Sequence, residues 1–543
     1  MQRQTSLYFI VVGAFLLFIS GNFLSEGLSH VGMDNAVVAQ RMSEGFEDFW
    51  LPSLSAPGNP DRSNYMPLGY WIESVWYRIF GSSSFMAEKI YSVLTYFIIA
   101  ALMIWIWTLL GQSRRVGWLP LMCWITIPIV SWSATNNLLE STMTMFVLLS
   151  VVFLLKAGRA SFISQTRLAL GKKTGPYRLS RTAWVVLAAL MMELAFLVKG
   201  FAGLFPIFFP FLYWIIVRRE RILFPVFSTG VILVIWMVTI FVAILVSPDI
   251  YHHLYNYLHH QLIGGVLHVQ TVTSHFYILY VLLLQGFIPL MLTAIICIIR
   301  LKSRPFYRYL FFWRHTKKLT AEQIERSRQG WFFLAVGVSG ILPIMLGLKQ
   351  QDFYIVPTLP FFAIAMACLL YNLIEDWLER INKTAKRVLA AMAVILFGSG
   401  LLLNINSLNK INSNQVLLND MRQILPYLSH GEVISVTDEV MSADEVAEYF
   451  YRYKNVTFDT IDSHEHLLSM YAQPETPSGD SYFKQMSLPT QQYKLFERTP
   501  LPAPDTLGLA DDDDSFLIDS IDNQESEGIT DFDQYEMDVM LGR

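Results

Sequence analysis

The chain has 543 residues, of which 53% are hydrophobic and 15% are charged, and its mean hydropathy is +0.40. Soluble globular domains carry about 25% charged residues, so this composition excludes an ordinary soluble protein and indicates a membrane protein. The formal net charge of −4 hides an uneven distribution, because residues 501–543 hold 13 Asp and Glu against one Arg. The body of the chain is therefore mildly basic and its last stretch strongly acidic.

Apolar runs long enough to cross a hydrocarbon core of about 30 Å recur up to about residue 405. The first of these runs lacks a small-residue cleavage site and is interpreted as a retained helix, not a signal peptide. Cys123, Cys297 and Cys368 all lie inside apolar runs, which predicts buried thiols and no disulfide or thiolate metal site. The predicted spans number eleven and cover residues 7–24, 86–110, 116–133, 141–156, 182–198, 201–217, 222–246, 276–299, 331–348, 354–372 and 388–405.

Basic segments predict the orientation of these spans. Segments such as GQSRR, RRER and RLKSRPFYRYLFFWRHTKK fall on alternate sides of successive spans, so all of them lie on one side of the membrane. The positive-inside rule makes that side cytoplasmic. The opposite, outer side then receives the long loops 25–85 and 247–275 and everything after residue 405.

The composition divides the chain into three predicted domains. Residues 1–405 form the transmembrane domain. Residues 406–500 form a small α/β domain outside the membrane, with GEVISVTDE and NVTFDTID as strands around the helical ADEVAEYFYRY. Residues 501–543 have few aromatic residues and include ADDDD, which predicts a disordered acidic tail.

Five polar residues lie at the outer ends of different spans: Asp34, Glu140, Lys199, Lys349 and Tyr354. Each alone could be a helix-end residue that reaches the lipid headgroups. Because all five lie on the same predicted face, they could instead converge on an anionic, lipid-linked substrate. The ammonium groups would then balance phosphate charge, and a carboxylate would take a proton from an acceptor hydroxyl.

The order of these features resembles the membrane glycosyltransferases of the C fold class. The pattern runs from Asp34 through YMPLGYWIES, Glu140 and LVKGFAGLFP to LKQQDFYIVPTLP, over roughly residues 1–405. Within that class it is most similar to the group of bacterial lipid A aminoarabinose transferases and protein O-mannosyltransferases. The resemblance implies an all-α bundle of about eleven spans, with interfacial helices in the first outer loop and a polyprenyl-phosphate sugar as donor.

The resemblance also implies roles for particular residues. Asp34 matches the candidate general base, and Glu140 matches a second acidic position that usually carries Asp. The segment 65–71 matches the lining of the donor pocket, and later positions match residues near the donor phosphate or the mouth of the cavity. The substrate-binding positions implied in this way are Tyr65, Pro67, Tyr70, Lys199, Lys349 and Tyr354.

Two positions depart from the pattern of the family. Mannosyltransferases usually carry Asp-Glu where this chain has Asp34 and Asn35. The aminoarabinose transferases carry a Lys directly before the proline that matches Pro67, and this chain has Met66 there. Lys199 and Arg62 are the candidates to replace that cation at the phosphate.

The loop 247–275 contains six of the eleven histidines. His253 and His260 are seven residues apart, which predicts that they lie near one face of a helix. Closure of this loop over the donor is the preferred interpretation, and both histidines are therefore predicted substrate-binding residues. An interfacial amphipathic helix and a divalent metal site are the alternatives. No residue is assigned as a metal ligand and no cofactor is assigned, with a divalent metal ion as the one candidate.

The sequence therefore predicts an enzyme that moves a sugar from a polyprenyl phosphate to an acceptor on the outer face of the cytoplasmic membrane. Asp34 would accept the acceptor proton, with inversion at the sugar carbon as the resemblance implies. The acceptor is a lipid such as lipid A, an envelope glycan or a protein, and nucleic acid is not a partner. A transporter or flippase for a lipid-linked or anionic solute is the alternative, and a receptor or scaffold built on residues 406–500 is a third hypothesis.

Overall fold

The computed structural model describes ten stretches of the chain, and the predicted acidic tail lies outside them. Contacts divide the chain into a unit of residues 1–498, which is described below, and a unit of residues 499–543. The described stretches are residues 5–46, 49–52, 66–81, 84–169, 180–218, 221–300, 305–380, 382–461, 464–471 and 482–499.

Helices dominate the described residues as far as residue 405. Those of the first half are α1 (Thr5–Phe18), α2 (His30–Glu44), α3 (Leu68–Phe80), α4 (Phe85–Leu109), α5 (Trp118–Ile125), α6 (Pro128–Ser133), α7 (Leu139–Ala169), α8 (Arg181–Lys199), α9 (Phe209–Leu212) and α10 (Leu223–Val246). Those of the second half are α11 (Pro248–Asn256), α12 (Gly264–Leu267), α13 (Tyr277–Gln285), α14 (Phe287–Arg300), α15 (Tyr307–Leu310), α16 (Ala321–Ile341), α17 (Leu359–Glu379) and α18 (Lys383–Ile405).

Seven segments of the described chain are long and apolar enough to cross a membrane, and the pair α13 and α14, bent by 53°, makes an eighth. This count is lower than the predicted eleven because one predicted span is too short, one is split and two form a single segment. The first predicted span is the short helix α1. The third is split into α5 and α6, because the ring of Pro128 disfavours helical backbone at Ile127. The fifth and sixth form one segment, Arg181–Val217, that turns at Gly200.

The turn at Gly200 reverses the chain between α8 and a 3₁₀ helix, Gly200–Phe208. Gly200 has φ +71°, which a residue with a Cβ atom adopts only under strain. After the turn, Gly203 lies directly against the backbone of Ala195, where an added Cβ would come within 2.6 Å. Lys199 is consequently held at the tip of a tight bend, as the sequence predicted.

The helix α1 packs closely against α18, far away in the chain. Gly13 and Gly400 permit this contact, because an added Cβ at Gly13 would lie 2.7 Å from the Phe397 backbone. Asn404 Nδ2 donates to the carbonyl of Leu16 at 2.8 Å. Beyond the helix ends, the Glu26 amide donates to the Lys410 carbonyl at 2.8 Å. The first and last helices of the bundle, α1 and α18, therefore pack side by side.

The region after α18 is an α/β layer, in agreement with the predicted fold class. Its five-stranded sheet has the order β2-β1-β3-β5-β4, with β1 parallel to β2 and β3 and with β3 antiparallel to β5. The helices and strands are α19 (Gln415–Ile424), β1 (Val433–Val436), α20 (Asp438–Met441), α21 (Asp444–Lys454), β2 (Thr457–Asp459), β3 (His466–Ser469), β4 (Tyr482–Gln485) and β5 (Lys494–Thr499). The predicted strands and helix fall on β1, β2 and α21.

The helix α2 contributes to two hydrophobic cores at once. Val38 and Met42 belong to the core of the helical bundle. Met33 and Val37 belong to the core of the α/β region, together with Leu418 and other residues of that region. Nearly every residue from Gly32 to Met42 is buried, so α2 is covered by protein on both sides. The α/β region is therefore packed onto the helix that carries Asp34.

Candidate active site

Glu140 and Lys199 form an ion pair at one end of the bundle. Glu140 lies in the first turn of α7, where the positive end of the helix dipole favours a carboxylate. Its Oε1 accepts a hydrogen bond from Lys199 Nζ at the tip between α8 and the 3₁₀ helix. Glu140 is 1% exposed, and its Oε2 has no hydrogen-bond partner among the described residues. One oxygen of this carboxylate is therefore available to accept a further hydrogen bond.

Lys199 also faces the segment between α16 and α17. Its Nζ lies 5.3 Å from the ring centroid of Phe353 and 5.5 Å from that of Tyr354, within the range of a cation–π contact. Lys349 Nζ, from the same segment, donates to Gln261 Oε1 at 2.9 Å. Burial lowers the pKa of Lys349, and the charge of Lys199 lowers it further. Two ammonium groups thus approach each other closely enough to repel.

The start of α3 packs against the same place. Gly69 lies beside Leu139 and Val198, the residues that precede Glu140 and Lys199, and an added Cβ would come within 2.7 Å of Leu139. Pro67 precedes the first turn of α3 and Tyr70 is 2% exposed in the main core.

Tyr65, named for the donor pocket, and Arg62, a candidate to replace the missing cation at the phosphate, lie outside the described residues. Met66, which stands where the aminoarabinose transferases have Lys, is buried among Phe196, Ile250 and Leu254. Its environment is apolar, which suits a methionine and would penalise an ammonium group.

Asp34 belongs to a different group of contacts. It is the fifth residue of α2, whose first turn is capped by Ser29. His30 Nδ1 lies 3.2 Å from Asp34 Oδ1, one turn later, and 3.5 Å from Glu448 Oε2 on α21. The contact with Glu448, aided by the charge of Asp34, raises the pKa of His30 to about 9. Burial raises the pKa of Glu448 to about 9.

Hydrogen bonds connect the Asp34 helix to the segment that leads into Glu140. Asn35 Nδ2 donates to the carbonyl of Asn137 at 2.9 Å, and the Ser29 amide donates to Asn136 Oδ1 at 2.9 Å. The structure therefore brings Glu140, Lys199, Lys349 and Tyr354 together. Asp34 lies on an adjoining helix whose polar contacts differ from theirs.

The histidine-rich loop departs from the predicted geometry. Its helix changes from α to π geometry over Tyr257–Ile263, so the α-helical spacing that predicted a shared face for His253 and His260 does not apply. His253 is buried and His260 is exposed. The loop nevertheless covers the tip that carries Lys199, because the hydroxyl of Tyr257 accepts a hydrogen bond from the Phe201 amide at 3.2 Å.

Three residues of these two groups were not predicted from the sequence: His30, Gln261 and Glu448. The spacing of His30 and Asp34, one helical turn apart, could have indicated their contact. Gln261 and Glu448 are far from their partners in the chain, and the sequence contains no local pattern that brings them there. Only the folded chain shows that α21 supplies an acid beside Asp34.

Comparisons with known proteins agree with this architecture. Residues 62–263 match the sequence model of the dolichyl-phosphate-mannose-protein mannosyltransferase family. The structure of ArnT from Cupriavidus metallidurans bound to undecaprenyl phosphate covers 90% of this chain and 97% of its own, at 14% identity and TM-score 0.54. Its apo form covers 90% and 96%, at 14% identity and TM-score 0.53. A search of curated proteins gives no match.

These matches confirm the resemblance that the sequence predicted. The fold is that of the C-class membrane glycosyltransferases, with the small sheet after the last span. The family match over residues 62–263 bears out the prediction of a glycosyltransferase. The apolar helices and the shared fold make the chain an integral membrane protein.

Proposed function

We propose that this protein transfers a sugar from a polyprenyl-phosphate donor to an acceptor, with the donor phosphate bound near Lys199 and Lys349. The observation that carries the proposal is that both ammonium groups lie at the segment before α17: Lys199 Nζ is 5.5 Å from the Tyr354 ring centroid, and Lys349 precedes Tyr354 by five residues. A bound phosphate would balance both ammonium groups through charge-assisted hydrogen bonds. ArnT, which shares the fold, has been solved with undecaprenyl phosphate.

The reaction needs a base as well as an anion site. In the proposed step, the acceptor hydroxyl oxygen forms a bond to the anomeric carbon while the bond from that carbon to the phosphate oxygen breaks. The polyprenyl phosphate leaves with the bonding electrons and is balanced by the ammonium groups. The acceptor proton passes to the carboxylate of Asp34, with Glu140 as the second acid and Tyr354 beside Lys199.

The remaining predicted residues take supporting roles in this proposal. Pro67 and Tyr70, with Tyr65, would shape the wall beside Glu140 and Lys199. The loop that carries His253 and His260 would close over the donor, which its contact with the Lys199 tip favours. The site would face the outer side of the cytoplasmic membrane, because the basic loops define the opposite side.

The first experiment compares envelope glycolipids and glycoproteins by mass spectrometry in cells that lack this protein. Those cells are complemented with the native chain, with Asp34→Ala, or with Asp459→Ala as a matched control in the α/β region. A hexose- or aminosugar-sized mass restored by the native and control chains but not by Asp34→Ala would support the proposal and identify the acceptor class. Equal restoration by all three would remove Asp34 from the mechanism and favour a transporter.

A further inference from the structure

We propose that His30, Asp34 and Glu448 form a binding site for a divalent transition-metal ion, best suited to Zn²⁺, between α2 and α21. The site shares Asp34 with the proposed sugar transfer, and its other two residues, His30 and Glu448, have no role in that reaction. The inference goes beyond the proposed function, and binding of the ion can be measured without any sugar donor.

The distances between the three side chains fit one small ion. One nitrogen or oxygen atom from each of the three residues lies within 4.8 Å of the other two. His30 Nδ1 is 3.2 Å from Asp34 Oδ1 and 3.5 Å from Glu448 Oε2. Zinc bonds of about 2.0–2.1 Å in tetrahedral geometry hold their ligand atoms about 3.3 Å apart. The two separations measured from His30 Nδ1 lie close to that value.

Buried carboxylate oxygens of the cluster would gain a partner from such an ion. Glu448 is 5% exposed, and neither of its oxygens makes a well-aligned hydrogen bond with the described residues, since His30 Nδ1 lies 3.5 Å from Oε2. Asp34 Oδ1 is also buried, and its contact with His30 Nδ1 at 3.2 Å is not a well-aligned hydrogen bond. His30 Nδ1 can carry only one proton, so it can donate to only one of the two carboxylates at a time. A cation between them would satisfy both carboxylates together.

The charges around the cluster favour a cation. His30 faces Asp34 on its own helix, and Glu448 and Glu445 on α21. Together these acids make the cluster electronegative, and a negative potential attracts a divalent cation. Arg452, further along α21, does not reduce this potential directly, because it binds Glu88 and Gln40.

The kinds of ligand select the ion. An imidazole nitrogen with two carboxylates suits zinc, and manganese less well, whereas calcium and magnesium prefer oxygen ligands alone. His30 has a side chain that is 44% exposed, which leaves a path from solvent and room for a water as fourth ligand. Because α21 belongs to the α/β region, the ion would join that region to the helix that carries Asp34.

The test measures metal bound to the full-length protein in detergent. The protein is stripped with a chelator, equilibrated with Zn²⁺, passed through a desalting column and analysed for zinc by mass spectrometry. We expect about one ion per chain for the native protein and for Glu439→Gln, a control at an exposed position on α20. We expect at least a tenfold weaker affinity for His30→Ala and for Glu448→Gln. Equal zinc content in all four proteins, or none in the native protein, would overturn the proposal.

A second measurement serves if the variants do not fold. Co²⁺ bound to the native protein at a site with nitrogen and oxygen ligands gives visible absorption bands that are absent from aqueous Co²⁺. We expect these bands to develop with one equivalent of Co²⁺ and to disappear on addition of Zn²⁺. A spectrum that stays that of aqueous Co²⁺ would overturn the proposal. Neither measurement uses a donor or acceptor, so their outcome is independent of the sugar-transfer assay.

Discussion

At the scale of single residues, the candidate site depends on a buried acid, Glu140, whose charged partner among the described residues is Lys199. Glu140 is 1% exposed, and Lys199 provides the balancing charge from a neighbouring helix end. Removal of one member of a buried ion pair is destabilising because the other charge is left in an apolar environment. Lys199 therefore has two separable roles, to balance Glu140 and, in the proposed reaction, to bind phosphate.

These two roles can be separated by a pair of variants. Lys199→Met should lower the free energy of unfolding by about 1–3 kcal/mol, because Glu140 loses its partner, and should weaken donor binding. Lys199→Met combined with Glu140→Gln should recover most of the stability but not the donor affinity. Thermal unfolding and donor binding, measured on the same detergent-solubilised samples, check both statements. Recovery of donor affinity in the double variant would contradict a phosphate contact by Lys199.

A second prediction at this scale concerns Glu73 on α3. Its Oε1 accepts hydrogen bonds from Tyr77 at 2.5 Å and from Asn137 at 2.6 Å, and burial raises its pKa from 4.5 to about 8. The folded chain therefore holds a proton that the unfolded chain releases above pH 4.5. The free energy of unfolding should fall as pH rises from about 4.5 to about 8, and then level off.

Glu73→Gln should abolish this part of the pH dependence, because the amide is neutral at every pH. Its Tm relative to the native chain should increase by several degrees between pH 5 and pH 8, at roughly 2–4 °C per kcal/mol. Glu497→Gln, at an exposed position on β5, serves as the control and should show a constant difference. A constant difference for Glu73→Gln as well would mean that Glu73 is ionised in the folded protein.

At the scale of elements, the bend after α8 determines where Lys199 lies. Gly200 adopts φ +71°, and an added Cβ would come within 1.7 Å of the Tyr257 hydroxyl. This contact couples the bend to the loop that covers it. The position of the Lys199 ammonium group thus depends on Gly200, the residue that follows it in the chain.

Gly200→Ala should destabilise the bend by roughly 1–3 kcal/mol, through backbone strain and displacement of Tyr257. It should also reduce donor transfer, since Lys199 would shift with the bend. Gly398→Ala is a matched control, because it lies within α18 and an added Cβ there meets nothing within 4 Å. Its Tm should equal or slightly exceed that of the native chain. Equal Tm and activity for both variants would show that the bend tolerates a side chain.

At the scale of the whole molecule, α2 makes the membrane bundle and the α/β region dependent on each other. Met33 and Val37 are buried in one core together with residues of α19, α21 and the sheet. Leu28 is fixed by a hydrogen bond from its amide to the Tyr449 hydroxyl at 3.1 Å. The α/β region is therefore part of the folded unit rather than an appended module.

A chain that ends at residue 411 should expose the apolar side of α2 and lose its monodispersity in detergent. We expect a broadened or aggregated peak in size-exclusion chromatography and a Tm at least several degrees lower. A chain that ends at residue 499 serves as the control and should behave like the full-length protein. A monodisperse 411-residue product with an unchanged Tm would show that the bundle is stable without the α/β region.

The class of fold and the place of Lys199 at a tight turn could be predicted from the sequence. Span positions and the Lys199 tip follow from hydropathy and from local turn residues, which act over a few positions along the chain. The contact of Glu448 with Asp34 could not be predicted, because it arises from the packing of α21 onto α2. The different environments of His253 and His260 were missed because a π-helical turn leaves no simple periodic signal.

The pairing of α1 with α18 has a consequence for synthesis in the cell. Leu16 and Asn404, which are hydrogen-bonded, are 388 residues apart in the chain. The helix α1 therefore leaves the ribosome long before the helix against which it packs has been translated. Until then, the face that carries Gly13 must be accommodated by lipid or by the insertion machinery. Closure of the bundle is thus a late step of biogenesis, and a truncated translation product lacks the means to complete it.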